Sequence, residues 1–413
     1  MELLLSFFRQ CNKENIDYCI WKSSNQLESS LNGKTDFDIF VNNSHKDIFD
    51  KLLKKNNFFF TVSSKKKEYL DNEYDAFLID EKLNLIHFHI YSMIIIGAKN
   101  NKNYKFLFNN EIFQTSKYDN LYDIKIIDPN IEIFLLVCRF YFKLRYEKLN
   151  IKLLEELNDQ YFFLKKKIIK NNLNIKLPKM NLEYNEINYE TVKIFIKESD
   201  IFKKNFFQKI KRKRNGIIFS LQKRTLSKHG VSVALVGHDG SGKTTLVQSI
   251  YNLLRKKISI KKIYLGKYKK IKNKYMSSFL NLFIKLYKLI LIRYYRSIGY
   301  LVIIDRYLQS EKNFNDGPIL INSKLQFLSI FEKKFYKLLE RRFCPDLILK
   351  IVCDTERIIN RKKNLDLSVI DIKNNHIVEH NYFSKKIEYI NGMNSINKNL
   401  KDIIKLIINN GEK

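Results

Sequence analysis

The chain has 413 residues, and its 75 Lys and Arg against 43 Asp and Glu give it a formal net charge of +32. This length predicts two or three domains, and hydrophobic and aromatic shares of 45% and 14% exclude a disordered chain. The chain contains 12 Gly and 4 Pro, too few for a collagen-like or linker-like protein.

The first 120 residues contain patterns typical of both helices and strands. Apolar residues recur at helical spacing near the N-terminus, and short β-rich runs follow them. These patterns predict helices at 2–15 and 46–56 and strands at 18–22, 37–41 and 83–90. Residues 1–120 are therefore predicted to form an α+β domain.

Two acids lie at the start of the second of these strands. Asp36 and Asp38 alternate along the chain, so their carboxylates lie on one face. Two carboxylates placed in this way can hold Mg²⁺ against a nucleotide triphosphate. The small-residue turn at Ser23 and Ser24 would supply backbone donors to phosphate. The alternative is that both acids are solvated turn residues before a buried strand.

This spacing resembles the nucleotidyltransferase fold, in which a small-residue turn is followed about a dozen residues later by an Asp-x-Asp pair. The resemblance implies a third acid on a later strand, but the corresponding strand here carries His87 and His89. These histidines are either metal or phosphate ligands or polar residues on an exposed face. Asp75 and Asp80 are other acids nearby, which the sequence does not place.

Residues 121–228 show mainly helical periodicity and are predicted to form a helical middle region. The region ends in a segment with 10 Lys or Arg between positions 203 and 228. We interpret this segment as a basic linker at a domain boundary. The alternative is an amphipathic segment that makes weak contact with a membrane surface.

A strand, a glycine loop and a helix begin the last predicted domain, residues 229–413. The apolar run at 231–236 leads into GHDGSGKT, which satisfies the P-loop pattern GxxxxGK[ST]. Such a loop turns backbone N–H groups toward phosphate oxygens, and the helix directs its positive end to the same anion. Lys243 would neutralise charge between the phosphates, and Thr244 would hold Mg²⁺. The predicted nucleotide-binding residues are Gly237, Asp239, Gly240, Ser241, Gly242, Lys243, Thr244 and Thr245.

A magnesium-associated acid is expected at the end of a neighbouring parallel strand. The apolar run at 300–304 is followed by Asp305 and then by Arg306. Asp305 would face the phosphates directly or through a metal-bound water, and Arg306 would reach an anionic group of the substrate. The alternative for Asp305 is a turn residue at a strand end. Further strands at 260–266 and 347–353 alternate with helices, which predicts an α/β fold with a parallel sheet.

The P-loop, the DRY run at 305–307 and the CPDLIL run at 344–349 resemble the thymidylate kinase family of P-loop kinases. The resemblance implies a parallel sheet flanked by helices, ATP as phosphoryl donor, and a mobile lid that brings Arg361 to the ATP phosphates. It also implies that Asp239 is directed toward the acceptor.

Two departures from this family concern the acceptor. LGKY at 265–268 stands where the family has an Arg-Glu-Pro-like motif, and the family's thymine-reading segment after the DRY run is not recognisable. The whole layout resembles bacterial fusion proteins with a nucleotidyltransferase-like front and a thymidylate-kinase-like back, which are associated with surface-polysaccharide gene clusters. The expected acceptor is therefore a small anionic or sugar-type molecule that need not be thymidylate.

The sequence thus predicts an Mg²⁺- and ATP-dependent phosphotransferase. The expected catalytic residues are Lys243, Asp305, Arg306 and Arg361, and the expected metal ligands are Thr244, Asp305, Asp36 and Asp38. One alternative is a bifunctional nucleotidyltransferase and kinase in surface polysaccharide biosynthesis. Another is a non-catalytic nucleotide-binding regulator or membrane-surface scaffold.

Location and partners are predicted from weaker patterns. The five cysteines are scattered without a CxxC pair, and the N-terminus lacks the pattern of a signal peptide, so we expect a cytoplasmic protein. The apolar run at 279–292 is interrupted by polar residues and is not expected to span a membrane. The basic charge favours anions in general, but no usual nucleic-acid-binding motif appears, so we expect no specific nucleic-acid partner. A homodimer is also considered.

Overall fold

The computed structural model describes residues 1–63, 73–96, 104–106, 109–144, 202–204, 224–226, 229–266, 272–310, 317–320, 326–354, 358, 372 and 375–411. The chain divides into two compact units, unit 1 (Met1–Gln222) and unit 2 (Lys223–Lys413). This division falls close to the predicted start of the P-loop domain at residue 229. A separate middle region at 121–228 stays a prediction, because most of it lies outside the described residues.

Unit 1 contains a mixed sheet with helices. Its helices are α1 (Glu2–Lys13), α2 (Leu27–Leu31), α3 (Lys46–Lys55), α4 (Asn109–Thr115) and α5 (Pro129–Leu144). Its strands are β1 (Tyr18–Ile20), β2 (Phe37–Val41), β3 (Phe59–Ser63), β4 (Glu73–Ile79), β5 (Leu85–Tyr91), β6 (Ile95–Ile96), β7 (Tyr104–Phe106), β8 (Lys117–Tyr118), β9 (Lys125–Ile126) and β10 (Phe202–Lys204). Seven strands pair in the order β3-β4-β5-β2-β1-β9-β8, and β10, β7 and β6 form a small second sheet.

The two faces of the larger sheet differ in polarity. The apolar side chains of β2, such as Phe37 and Ile39, share one core with the buried stripes of α1 and α3. β2 runs parallel to β5 with Asp38 opposite His89, and β4 runs antiparallel to β5 with Asp75 opposite the same histidine. Because side chains alternate along a strand, these polar residues lie together on the face opposite α1 and α3.

The predicted elements of unit 1 are confirmed to within a few residues. Helices predicted at 2–15 and 46–56 correspond to α1 and α3, and the three predicted strands correspond to β1, β2 and β5. The sequence analysis missed β3 and β4. Charged residues interrupt the apolar pattern of β4, which weakens the alternation that identifies a strand.

Unit 2 is built on a five-stranded parallel sheet, as predicted. The strands of this sheet are β12 (Val231–Gly237), β13 (Ile260–Tyr264), β14 (Leu301–Asp305), β15 (Leu347–Val352) and β16 (Lys386–Asn391), and the two-residue strand β11 (Arg224–Thr225) is not part of it. The helices of unit 2 are α6 (Lys243–Leu254), α7 (Lys274–Ser297), α8 (Gln326–Arg342) and α9 (Ile396–Gly411). The sheet order is β13-β14-β12-β15-β16, so β12 is the central strand.

Helices cover the sheet of unit 2. Alternate residues of the strands, such as Ala234 and Ile304, share a core with Leu289 of α7 and Leu339 of α8. α6 and α9 contact each other and also the sheet. By length and composition α7 could cross a membrane, but it contributes buried residues to this core, as a helix of a folded domain does.

Candidate functional site

The P-loop connects the central strand to a helix. β12 ends at Gly237, and α6 begins at Lys243 after the glycine loop. Gly240 and Gly242 have φ angles of 95° and 91°, a left-handed conformation that residues with a Cβ rarely adopt. The loop therefore requires glycine at these two positions, and it places the first N–H groups of α6 at the carboxyl end of the sheet.

Lys243 lies inside this loop. Its side chain is buried, and its Nζ donates a hydrogen bond of 2.5 Å to the carbonyl oxygen of His238. The same nitrogen is 4.0 Å from Oδ1 of Asp239. The Lys243 cation thus contacts the glycine loop, and it would contact a phosphate bound in the same loop.

Thr244 and Asp305 meet at the end of the central strands. β12 and β14 are parallel neighbours with Leu235 opposite Asp305, which brings the aspartate to the start of α6. The hydroxyl of Thr244 donates to Oδ2 of Asp305 at 3.0 Å. Asp305 therefore lies beside the P-loop, where the sequence analysis expected an acid.

Two polar atoms near this contact have no hydrogen-bond partner among the described residues. They are Oδ1 of Asp305 and Oγ of Ser241, and both are buried. A buried acceptor without a partner costs about 1–3 kcal/mol. A hydroxyl beside a carboxylate with a free oxygen is the type of donor set that Mg²⁺ prefers. Thr244 and Asp305 therefore fit a magnesium ion.

Arg306 and Asp239 form an ion pair across the site. Arg306 follows Asp305 and has a φ of 70°, and its Nη2 donates to Oδ1 of Asp239. The backbone N–H of Arg306 also donates to the carbonyl oxygen of Leu235 at 3.1 Å, which fixes its place beside β12. A non-glycine residue in the left-handed region is typical of a functional turn.

The loop borders a cavity of about 370 Å³. Seven of its lining residues were predicted as nucleotide-binding, namely Asp239, Gly240, Ser241, Gly242, Lys243, Thr244 and Thr245, and Arg306 was predicted as catalytic. Five further lining residues were not predicted: Leu246 of α6, Gly392 and Asn394 after β16, and Ile396 and Asn399 of α9. A strand followed by Gly-Met-Asn and an amphipathic helix is a recognisable strand–turn–helix pattern, but its position beside the cavity depends on the strand order.

Two predicted features of the site cannot be compared with the structure. Arg361 lies outside the described residues, and so does most of the basic segment at 203–228. The lid and the membrane contact of the linker therefore stay predictions.

Asp38 of unit 1 is held by neighbours of its own chain. Its Oδ1 is 2.8 Å from Nζ of Lys22 and accepts a hydrogen bond of 3.1 Å from the Tyr91 hydroxyl. Burial alone raises the pKa of this carboxyl, but Lys22 and His89 outweigh burial and hold the pKa well below its usual range. Asp38 is therefore ionised, and its charge is already compensated.

The two histidines of β5 also contact carboxylates. Nδ1 and Nε2 of His87 are each 2.8 Å from a carboxylate oxygen, of Asp36 and Asp75 respectively. The alternative of an exposed polar histidine is wrong for His87, which is almost completely buried. Burial lowers the pKa of His89, although Asp38 and Asp75 act in the opposite direction.

The turn of unit 1 that was predicted to bind phosphate donates its hydrogen bonds to a side chain of the same unit. The backbone N–H and the hydroxyl of Ser24 donate to the Glu132 carboxylate of α5 at 3.2 and 2.6 Å. Within the part of the chain that the structure describes, no group of three or more His, Cys, Asp or Glu could hold a metal ion. Asp38 and Asp36 contact Lys22 and His87 in this arrangement, and their role as metal ligands stays a prediction, as does nucleotidyl transfer.

Comparisons with known proteins give no sequence match and a weak structural likeness. No protein-family model matches the chain, and no curated protein sequence matches it. Among solved structures, a thymidylate kinase from Candida albicans is similar over 44% of this chain and 92% of its own length. The sequence identity is 19% and the TM-score is 0.34, so the likeness is weak.

Proposed function

We propose that unit 2 is an Mg²⁺- and ATP-dependent phosphotransferase. The observation that carries the proposal is the contact of 3.0 Å between the Thr244 hydroxyl and the Asp305 carboxylate at the head of the glycine loop. A glycine loop alone binds anions of many kinds. A hydroxyl and a partly unpaired carboxylate beside it are what a magnesium nucleotide requires in addition.

The residues of the loop would bind and orient the phosphates. Lys243, now directed at the carbonyl of His238, would neutralise charge on the transferring phosphoryl group. Thr244 and Asp305 would hold Mg²⁺, which when bound offsets the negative charge of the phosphate oxygens. Catalysis of this kind depends mainly on positioning and charge stabilisation, and it requires no covalent bond to the protein.

The acceptor would lie on the side of Arg306 and Asp239. An arginine binds an anionic group with two parallel hydrogen bonds, and a carboxylate accepts a hydrogen bond from a hydroxyl. The pair is therefore suited to a small molecule with a phosphate or another anionic group and a hydroxyl, such as a nucleoside monophosphate or a sugar derivative. The contact between Arg306 and Asp239 would have to open to admit it.

The test is phosphoryl transfer by the purified full-length chain. ATP and Mg²⁺ would be supplied with thymidylate, other nucleoside monophosphates, sugars and glycan precursors, and products would be identified by phosphorus NMR. We expect Lys243→Ala to lower turnover at least about 100-fold, while Lys256→Ala, an exposed lysine at the end of the same helix, leaves it unchanged. Slow hydrolysis with every acceptor would favour a nucleotide-binding regulator and contradict the proposal.

A further inference from the structure

The long helix α7 has an unusual distribution of polar residues. Its face toward the domain buries Ser277, Ser278, Asn281 and Lys285, of which the lysine is completely inaccessible to solvent. A helix at a water-facing surface normally does the reverse, with its apolar face inward and its polar face outward. Water is therefore a poor environment for the outer face of α7.

The outer face of α7 is apolar and largely aromatic. Eight of its side chains are between 39% and 61% exposed: Tyr275, Met276, Phe279, Leu280, Phe283, Tyr287, Ile290 and Tyr294. At about half of the area of a large side chain each, they present roughly 700 Å². The largest apolar patch on a typical monomer is about 300–600 Å², and larger patches mark contact sites.

The neighbouring helix α8 has the same distribution. It buries Glu332 and Glu340 completely, and it exposes Phe327, Ile330, Phe331 and Leu338. The two helices touch through polar groups, because the Ser278 hydroxyl donates to Glu332 at 2.5 Å. Both helices thus bury polar groups beside their apolar core residues and expose apolar side chains on their outer faces. We call their exposed residues the α7–α8 surface.

All the exposed charges of these two helices are positive. α7 contains no acidic residue, and both acids of α8 are buried. The exposed charged residues are Lys274, Arg293, Lys333, Lys334, Lys337, Arg341 and Arg342. The α7–α8 surface therefore combines an apolar aromatic strip with cations, and no exposed anion on the helices offsets them.

We propose that the α7–α8 surface docks on an anionic lipid bilayer. Aromatic and aliphatic side chains on one helix face enter the boundary between headgroups and acyl chains, and flanking lysines and arginines are attracted to anionic lipids. A second copy of the chain fits less well, because two surfaces with positive charges alone would repel each other. The helix lies on the bilayer and does not span it, because its other face belongs to the core of unit 2.

This inference goes beyond phosphoryl transfer and does not depend on it. The surface is formed by the outer faces of α7 and α8, whereas the cavity is lined by the P-loop and by residues from β16 to α9. A membrane contact at the α7–α8 surface would hold the proposed kinase unit at the surface of the bilayer. Any lipid-linked acceptor would lie at the same bilayer surface.

The test is co-sedimentation of the full-length chain with phosphatidylcholine vesicles that contain or lack phosphatidylserine. We expect binding only to the anionic vesicles, and Phe279→Ser combined with Phe283→Ser should weaken it at least about tenfold. A second variant, Lys333→Glu combined with Lys334→Glu, should weaken it by charge alone. The matched control is Leu121→Ser, which removes an 82% exposed apolar side chain of unit 1 and should not change binding.

Three outcomes would overturn the proposal. The first is no preference for anionic vesicles, and the second is equal binding by the parent and both double variants, which would assign the attraction to another segment such as residues 203–228. The third is a dimer in sedimentation velocity that the phenylalanine variant converts to a monomer, which would identify the surface as a contact between copies. Circular dichroism and ATP binding establish that each variant is folded.

Discussion

Units 1 and 2 each place acids on a sheet near a turn of small residues, but they leave those acids in different states. In unit 2, Asp305 keeps one buried oxygen without a partner among the described residues, and the loop beside it opens on a cavity. In unit 1, Asp38 is paired with Lys22, and Ser24 is bonded to Glu132. A group that is ready for a ligand is left unsatisfied, whereas a group with a structural role has its partners within the chain.

The same distinction holds inside unit 2. Asp346 lies away from the cavity, and it accepts hydrogen bonds from both the backbone N–H and the hydroxyl of Ser232 and pairs with Arg296 at 2.7 Å. Its carboxylate thus resembles those of unit 1 and differs from Asp305. Whether a carboxylate has all its partners within the chain therefore depends on its position relative to the cavity and not on the unit in which it lies. Substitutions can test this dependence.

The largest expected effect is on catalysis. Asp305→Asn removes a charge that would hold Mg²⁺ and should lower turnover about 10²–10³-fold, with a higher magnesium requirement and an unchanged unfolding temperature. Initial rates across a magnesium titration measure this. The matched control is Asp402→Asn, an exposed aspartate of α9. If the two variants retain equal activity, the phosphotransferase proposal fails.

The next effect is on the stability of unit 1. Asp38→Asn leaves Lys22 without its ion pair and should lower the free energy of unfolding by about 2 kcal/mol, while phosphoryl transfer by unit 2 continues at the parent rate. Urea denaturation at pH 7 measures this, with the exposed Glu81→Gln as control. A loss of transfer activity in Asp38→Asn would instead mean that unit 1 takes part in the reaction.

The same variant has a pH dependence with a defined sign. The folded-state pKa of Asp38 lies below its unfolded value, so the contribution of its charge to stability is fully present above about pH 4 and is lost as the pH falls. The difference in stability between the parent and Asp38→Asn should therefore narrow as the pH falls below about 4, and it should narrow further as the pH approaches the folded-state pKa. A difference that widens with acid would contradict the assignment of the low pKa.

The smallest effect concerns the ion pair of unit 2. Arg296→Met should lower the stability of unit 2 by about 0.5–1 kcal/mol, because the pair is partly exposed and Asp346 keeps its bonds to Ser232. Thermal denaturation measures this, and turnover should be unchanged. A large loss of turnover would place Arg296 in the site and remove the contrast between Asp346 and Asp305.

The site of unit 2 could be predicted where its residues lie within one motif. The glycine loop and the apolar strand that ends at Asp305 follow from local pattern, since parallel strands bring their carboxyl ends together. Asn399 could not be placed in this way. It reaches the cavity only because β16 is the edge strand beside β15, and strand order is a long-range property that the local sequence does not encode.

The polar contacts of unit 1 show a second limit on prediction from the sequence. The Asp-x-Asp spacing was visible, but Glu132 is 108 residues from Ser24, and Asp75 lies on a strand that the sequence analysis missed. Partners so distant in the chain decide whether an acid is available to a ligand. The buried Lys285 of α7 also has a distant partner, because its Nζ donates to the hydroxyl of Tyr336 in α8, 51 residues away.

The central place of β12 has a consequence for synthesis of the chain. The strand that carries the P-loop is complete at residue 237, but its neighbours β14 and β15 are made much later, ending at residues 305 and 352. Until then the nascent chain holds an apolar strand with unpaired edges, which is prone to associate with other chains. Pairing at such sequence separations is slow. A ribosome that pauses before β15 would therefore prolong the period in which unit 2 needs protection from aggregation.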